Sequence, residues 1–239
     1  MKVRVKFKKH GAIRFIGHLD VMRFFQKCIR RAGLDIAYSG GYSPHQIMSF
    51  AHPLGVGMES NGEYMDIELN SATNSEDMLK RLNAASVDGI EIIGIKELPE
   101  GAGNAMASVA AASYTLRFRE GKEPKINIAE KINDFMSQQQ ILITKETKKN
   151  TLEVDLKPGI YEFKANEDGS LYLFVDASSG GNIKPIAVIE ALLNKYGETL
   201  QENACLITRE ETYLNLSKDE AKPEFVPLDA IGKDFVHES

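Results

Sequence analysis

The fold is set by residues 2–33, which read KVRVKFKKHGAIRFIGHLDVMRFFQKCIRRAG. The beginning of this stretch alternates apolar and charged residues, and a period of two predicts a half-buried β-strand over 2–8. From His18 onward the apolar residues recur at helical spacing, and Gly33 stands where a glycine commonly ends a helix. The stretch therefore predicts a strand followed by an amphipathic helix.

The later patterns extend this beginning into an α+β protein. Over the first 98 residues, strand-like and helix-like segments follow one another in the order βαββαβ, with a second strand expected at 34–38. Residues 39–62 are rich in Gly, Ser and Pro and form a longer connection than a hairpin needs. A similar order of segments returns after residue 112. We therefore predict two tandem ferredoxin-like (βαββαβ) domains, the first with an elaborated loop.

The domain boundaries are predicted from changes in composition. The small residues PEGAGNAMASVAAA, at 99–112, are typical of a linker. We predict a basic ferredoxin-like domain over 1–98, this linker, and a second ferredoxin-like domain over 113–216. Residues 217–239 are predicted to form a polar tail that is mobile or ordered only by a partner.

Composition excludes several classes of protein. The two cysteines, Cys28 and Cys205, are too few for a disulfide scaffold or for a zinc or iron–sulfur site that needs three or four thiolates from this chain. There is no Walker loop, GxGxxG or GxSxG motif. There is also no apolar run of about 18 residues and no signal-peptide core. We expect a cytoplasmic protein with no cofactor and no membrane contact.

The net charge of −5 conceals a division along the chain. Residues 1–58 contain ten Lys and Arg against two acids, whereas the other residues contain 19 basic and 32 acidic side chains. Such a division predicts that one region attracts polyanions. The predicted helix carries Arg23, Lys27, Arg30 and Arg31 on one stripe, beside the cations of the first strand. The alternative is a solvated helix face whose cations pair with the chain's own acids.

Three histidines are the candidates for chemistry. His18 lies at the start of the predicted helix, and His45 and His52 lie seven residues apart in the long connection. If they met in space, they could form a metal site or an acid–base cluster. No HExxH or His-x-His spacing supports metal binding, so we expect no metal. A structural role for each histidine is the alternative.

Aromatic and glycine-rich segments are further candidates for binding. Tyr38, Tyr42 and Phe50 could stack on nucleic-acid bases. Residues 178–182, SSGGN, precede a predicted helix and could cradle a phosphate, or they could simply lead into that helix.

Residues 14–69 resemble the N-terminal hallmark of the radical-SAM-linked protein family, and thinner similarity continues at 181–185 and 209–213. Its members are encoded beside, or fused behind, a radical SAM enzyme of the B12-binding type. Gly17 departs from the serine that usually caps the helix in the family, and Gln46-Ile47 replaces a proline followed by a basic residue. The matching positions include His18, Asp20, Arg23, Arg31, Tyr38, Ser39, Gly41, Pro44, His45, Ser49, Phe50, Pro53, Leu54, Gly57, Ser60, Glu63, Tyr64 and Asp66.

The resemblance implies a partnership with a radical SAM enzyme, and the family's translation-related genomic setting implies RNA or a ribosomal component as the substrate. A radical SAM cluster needs three cysteine thiolates, so this chain cannot be the enzyme that carries it. We expect a non-catalytic, substrate-binding accessory protein. Its candidate binding residues are the four cations of the helix, the three aromatic residues, and Ser49, Glu63 and Asp66 from the matching positions.

Two alternatives to this accessory role remain open. One is a metal-independent enzyme that processes or modifies RNA with His18, His45 or His52 as the general base. The other is an adaptor that binds only protein, through the basic helix. The residues favour a binding protein over an enzyme.

Overall fold

The alternating stretch at the N-terminus forms strand β1, Lys2–Lys9, and the helical stretch forms α1, His18–Arg31. Val3, Val5 and Phe7 are buried on one face of β1, as the alternation predicts. A left-handed Gly33 follows α1, with φ +63°, a conformation that favours glycine.

A computed structural model describes residues 1–146, 151–217, 219 and 222–236. The chain forms two compact units, one of Met1–Ala110 with Arg209–Ser239, and one of Ala111–Thr208. The first boundary, after Ala110, falls inside the predicted linker, whereas the return of the chain at Arg209 was not expected. In the described ranges, no helix is long and apolar enough to cross a membrane.

The first unit packs two helices on one face of a sheet. After α1 it contains β2 (Met48–Phe50), β3 (Glu59–Glu68), α2 (Ser75–Ala84), β4 (Ile90–Glu97) and the short α3 (Ala105–Ser108). The strand order is β4-β1-β3, all antiparallel, and β2 pairs with the other edge of β3. Buried residues of α1 and α2 form one core with the apolar face of β1.

The expected strand at 34–38 is reduced to isolated bridges, between Ile36 and Leu69 and between Tyr38 and Gln46. The chain reverses direction between Tyr38 and Gln46, and Gly41 in this turn has φ +97°. The elaborated loop supplies β2, so the second strand of the unit begins later than predicted.

The second unit is also a mixture of helices and antiparallel strands. It contains β5 (Ala111–Phe118), α4 (Ile128–Met136), β6 (Leu142–Glu146), β7 (Thr151–Asp155), β8 (Ile160–Ala165), β9 (Leu171–Asp176), α5 (Pro185–Lys195) and the start of β10 (Cys205–Asn215). β5, β9 and β8 are neighbours in that order, whereas β6 and β7 form a separate hairpin. The protein is thus α+β, but two tandem ferredoxin-like repeats are not confirmed.

Most of the predicted tail packs on the first unit. β11, Phe225–Pro227, pairs with β10, and Leu228 is fully buried. Phe235 joins the core of the unit, and its carbonyl accepts a hydrogen bond from the backbone of Ser75. Leu228 and Phe235 of the predicted tail are thus buried, whereas Val236 is exposed. Residues 218, 220–221 and 237–239 of that prediction lie outside the described ones.

The C-terminal residues also meet the charged face of β1. Arg4 is fully buried; its Nε and Nη2 donate to the Asp66 carboxylate at 2.7 and 3.0 Å, and its Nη1 donates to the Leu228 carbonyl at 2.7 Å. Lys6 pairs with Glu211, and Lys8 pairs with Glu91 at 3.2 Å. Lys2, Arg4, Lys6 and Lys8 of β1 therefore pair with acids of their own unit. The sequence had suggested instead that they add to a phosphate-binding surface.

Replacing Asp66 with Ala should destabilise the protein by about 3–5 kcal/mol, because Arg4 would be left buried without a carboxylate. The control is Glu76→Ala, which removes an exposed pair with Lys80 on α2 and should cost no more than about 1 kcal/mol. Urea denaturation of both variants measures the difference. Similar losses of stability in both would contradict the role given to the Arg4–Asp66 pair.

Candidate functional site

A small polar cavity lies where the N-terminal end of α1 meets β1, β3 and residues 52–54. Its enclosed space, about 20 Å³, has room for one water molecule. Lys9 and Glu63 line its buried part, and the half-exposed His18 and His52 lie nearer to solvent. The rest of the lining is apolar and consists of Phe7, Val21, Phe50, Pro53 and Leu54.

Arg209 organises one side of this cavity. Its Nη1 donates to Glu63 Oε1 at 2.9 Å and to the His52 carbonyl at 3.0 Å, and its Nη2 lies 2.8 Å from His52 Nδ1. A guanidinium is always protonated and cannot accept a hydrogen bond, so Nδ1 of His52 is the acceptor. Arg209 thus holds His52 as the neutral tautomer with its proton on Nε2.

Lys9 is the cation inside the cavity. It is only 2% exposed, and its ammonium donates to the Ile16 carbonyl at 3.0 Å. Within the described part of the chain it forms no other hydrogen bond and no ion pair. Burial lowers the pKa of Lys9, and the nearby charge of Glu63 opposes that shift.

The three candidate histidines do not all come together. His18 and His52 line the same cavity, whereas Nδ1 of His45 lies 2.8 Å from Oγ of Ser39 in the exposed loop. The ring of His18 packs edge-on against Phe50, with 5.3 Å between the centroids. The described residues contain no group of three His, Cys, Asp or Glu that could hold a metal ion.

The basic stripe of α1 lies on the outside of the helix. Arg23, Lys27 and Arg30 are exposed, and Arg23 contacts the equally exposed Asp20 at 3.3 Å. Lys27 and Arg30 form no ion pair or hydrogen bond with any described residue. Arg31 differs from them, because its guanidinium donates to the Ala85 carbonyl at 2.7 and 3.3 Å.

Two of the candidate aromatic residues are accessible beside this stripe. Tyr42 is fully exposed at the tip of its loop, and Tyr38 is 52% exposed. Gln46 ties the loop to the helix, because its Nε2 donates to the Gln26 carbonyl of α1 at 3.2 Å and lies 3.5 Å from the hydroxyl of Tyr38.

The other candidate binding residues are engaged inside the unit. Phe50 packs against the core rings of Phe7 and Phe25, at 6.3 and 5.8 Å between centroids. Ser49 lies opposite Asp66 in the pairing of β2 with β3. Glu63 and Asp66 are buried and hold Arg209 and Arg4, so both carboxylates have structural partners.

The glycine-rich segment of the second unit, residues 178–182, surrounds the carboxylate of Asp176. The Asp176 carboxylate accepts from the backbone of Ser178 at 2.7 Å, and a Cβ on Gly181 would overlap that carboxylate. Ser178 Oγ in turn accepts from the backbone of Gly181 at 3.2 Å. This arrangement matches the alternative reading, in which the segment leads into α5.

A larger groove, of about 580 Å³, lies between α4, α5 and β6 in the second unit. It is lined by apolar side chains such as Phe135 and Ile141, with Glu190 and Lys195 as its charged residues. Lys195 already pairs with Asp134 at 2.7 Å. Gln138, Thr144 and Asn194 also line the groove, so its surface is a mixture of polar and apolar groups.

Sequence reasoning missed Lys9 and Arg209 as members of the cavity. The sequence did contain a signal for Lys9. Val3, Val5, Phe7 and Lys9 are alternate residues of β1, so all four lie on its buried face. A charged residue on an apolar face indicates a polar site inside the fold. Arg209 lies 146 residues from Glu63, and no local pattern connects them.

The fold and the cavity define a two-unit α+β protein whose first unit has a buried polar site next to a basic helix. The chain belongs to a bacterial family, described as an uncharacterized protein conserved in bacteria (DUF2344), whose family model matches residues 2–185. A search of curated proteins found no match to the chain. The family description contains no reference to radical SAM enzymes, so that partnership stays a prediction.

The buried position of Lys9 should be visible in the pH dependence of stability. Between its lowered pKa in the folded state and its usual value of 10.5, the unfolded chain binds more protons. Raising the pH in this interval therefore favours the folded state. We expect the stability of the wild type relative to Lys9→Met to increase as the pH rises towards 10.5.

Urea denaturation at several pH values measures this difference. Lys8→Met removes the neighbouring lysine, which is partly exposed and paired with Glu91, and serves as the control. The same pH trend relative to both variants would contradict the assignment to Lys9.

Proposed function

We propose that the protein binds RNA through the outer face of α1 and the tyrosines of the loop that follows it. The proposal rests on two exposed cations, Lys27 and Arg30. Neither forms an ion pair with an acidic side chain of the described residues. Exposed cations without internal partners are available to phosphates, whereas Lys2, Arg4, Lys6 and Lys8 of β1 are already paired.

The geometry of the helix fits a nucleic-acid backbone. Arg23, Lys27 and Arg30 are four and three residues apart, so their Cα atoms rise by about 6 and about 4.5 Å along one side of α1. Such a stripe can contact successive phosphates of one strand. Tyr38 and Tyr42 beside the stripe offer rings on which bases can stack, and stacking of this kind tolerates different sequences.

The charge of the whole unit limits the reach of this attraction. The sequence of the first unit contains 17 Lys and Arg against 20 Asp and Glu, so its net charge is −3. The excess of +8 over residues 1–58 is therefore balanced within the unit. We expect local contact at α1 instead of long-range steering, with strong dependence on salt.

We also infer a ferredoxin-like plan for each unit. In the first unit, β3 lies between β1 and β2, and in the second unit β9 lies between β5 and β8. A strand placed between the two strands of a β–α–β unit supports the split arrangement of that fold. Sheets of this class commonly carry RNA-binding surfaces, although fold alone does not assign a function.

We further propose that the bound RNA, or a ribosomal component, is presented to a radical SAM enzyme in the cytoplasm. The support is the resemblance of residues 14–69 to the radical-SAM-linked family. The chain's two cysteines suit an accessory protein better than the enzyme itself. The alternative function is that of an RNA-processing enzyme. Its support is that His18 and His52 line one cavity.

Binding to labelled tRNA or rRNA fragments tests the first proposal. Arg23→Glu combined with Lys27→Glu should abolish binding that the wild type shows at low salt. In single replacements by Ala, the slope of log K against log salt should shrink by about 0.7 for each lost phosphate contact. The matched control is Lys80→Glu with Lys233→Glu, which reverses two exposed charges elsewhere in the unit.

The wild type failing to bind at low salt, or the control losing as much affinity as the test variant, would contradict RNA binding at α1. The same RNA should stay intact during incubation with a chelator. Cleavage of the RNA would instead favour the RNA-processing enzyme if His18→Ala and His52→Ala abolish it and His45→Ala does not.

Recovery of the protein from its own cells, with and without nuclease, tests the partnership. We expect mass spectrometry to identify a radical SAM enzyme in both samples, and RNA only in the untreated one. Recovery of the enzyme without any RNA would indicate an adaptor that binds only protein. Absence of the enzyme from both samples would rule out a stable partnership.

A further inference from the structure

The cavity in the first unit contains a buried ammonium group that uses only part of its hydrogen-bonding capacity. Lys9 is 2% exposed, and its one hydrogen bond to a described residue goes to the Ile16 carbonyl at 3.0 Å. An ammonium has three N–H donors, so two of them find no acceptor among the described residues. Buried charges are normally paired with an opposite charge. Glu63 lies near Lys9 but forms no ion pair with it, so the remaining N–H groups of Lys9 suit an acceptor from outside the chain.

The charges around Lys9 favour an anion. The polar groups that line the cavity are Lys9 from β1, His18 from α1, His52 from the connection and Glu63 from β3, and Arg209 from β10 holds Glu63. The charges of Lys9 and Glu63 cancel, and the guanidinium of Arg209, paired with Glu63, leaves a surplus of one positive charge. The cavity also lies at the N-terminal end of α1, where the helix dipole favours negative charge.

The size of the cavity limits what can enter it. The enclosed space of about 20 Å³ accommodates a single oxygen atom, and a whole phosphate group does not fit inside. His18 and His52 are half-exposed at the solvent side, so a group bound there would lie beside both imidazole rings. An oxyanion with one oxygen inside and the others near the imidazoles fits this geometry.

We propose that the cavity binds one oxygen of a phosphate group, with Lys9 as the buried donor and His18 and His52 as the outer contacts. The assignment of this phosphate to RNA rests on the proposed function, whereas the anion site itself does not. His18 is the first residue of α1 and lies five residues before Arg23, about 7.5 Å along the axis. A strand that runs along the basic stripe towards the start of α1 therefore approaches the cavity.

Titration of the full-length protein with inorganic phosphate, at constant ionic strength against chloride, tests the anion site. The imidazole NMR signals of His18 and His52 should shift, and those of His45, which lies outside the cavity, should not. Lys9→Met should weaken phosphate binding at least about tenfold, and His45→Ala should change it less than about twofold. If Lys9→Met does not fold, the wild-type shifts decide the question alone.

Equal shifts at His45, or none at His18 and His52, would overturn the anion site. Arg23→Glu with Lys27→Glu should retain phosphate binding, because free phosphate does not need the helix stripe. If the wild type binds phosphate but not RNA, only the proposed function is contradicted. If it binds RNA but not phosphate, only the anion site is contradicted. For the RNA assignment, Lys9→Met should shrink the salt slope of RNA binding by about 0.7, and an unchanged slope would refute it.

Discussion

The first unit depends on the pairing of two buried guanidinium groups, because a buried charge is stable only when an opposite charge and hydrogen-bond acceptors surround it. Arg4 and Arg209 are each at most 2% exposed, and each has one carboxylate of β3 as its partner, Asp66 and Glu63 respectively. The Arg4 site also needs the Leu228 carbonyl. The C-terminal residues therefore complete the unit that the N-terminal residues begin.

This pairing decides which cations remain available for function. Four cations of β1, Lys2, Arg4, Lys6 and Lys8, pair with acids of their own unit, so the basic sequence does not produce a basic surface there. The outer face of α1 is different, because Lys27 and Arg30 form no ion pair or hydrogen bond with any described residue. The proposed RNA contact is consequently confined to one helix and the loop that Gln46 attaches to it.

The cavity next to this helix combines features that separate sequence segments contribute. Arg209 holds Glu63 and sets the tautomer of His52, so the same guanidinium that completes the fold also organises the site. Lys9 forms no ion pair with any described residue, although the charge of Glu63 lies near it.

The sequence by itself determined β1 and α1, the α+β class, and the spacing of Arg23, Lys27 and Arg30 along α1. These features follow from local periodicity and composition, which are complete within a short segment. Only the tertiary structure decided that Arg4 is buried and that Arg209 reaches Glu63 across 146 residues. It likewise brought His18 and His52 to one cavity and left His45 outside. Burial of a side chain depends on which distant segments cover its face of the sheet. The ion-pair partner of a buried charge also comes from a distant segment, so no local sequence pattern reveals it.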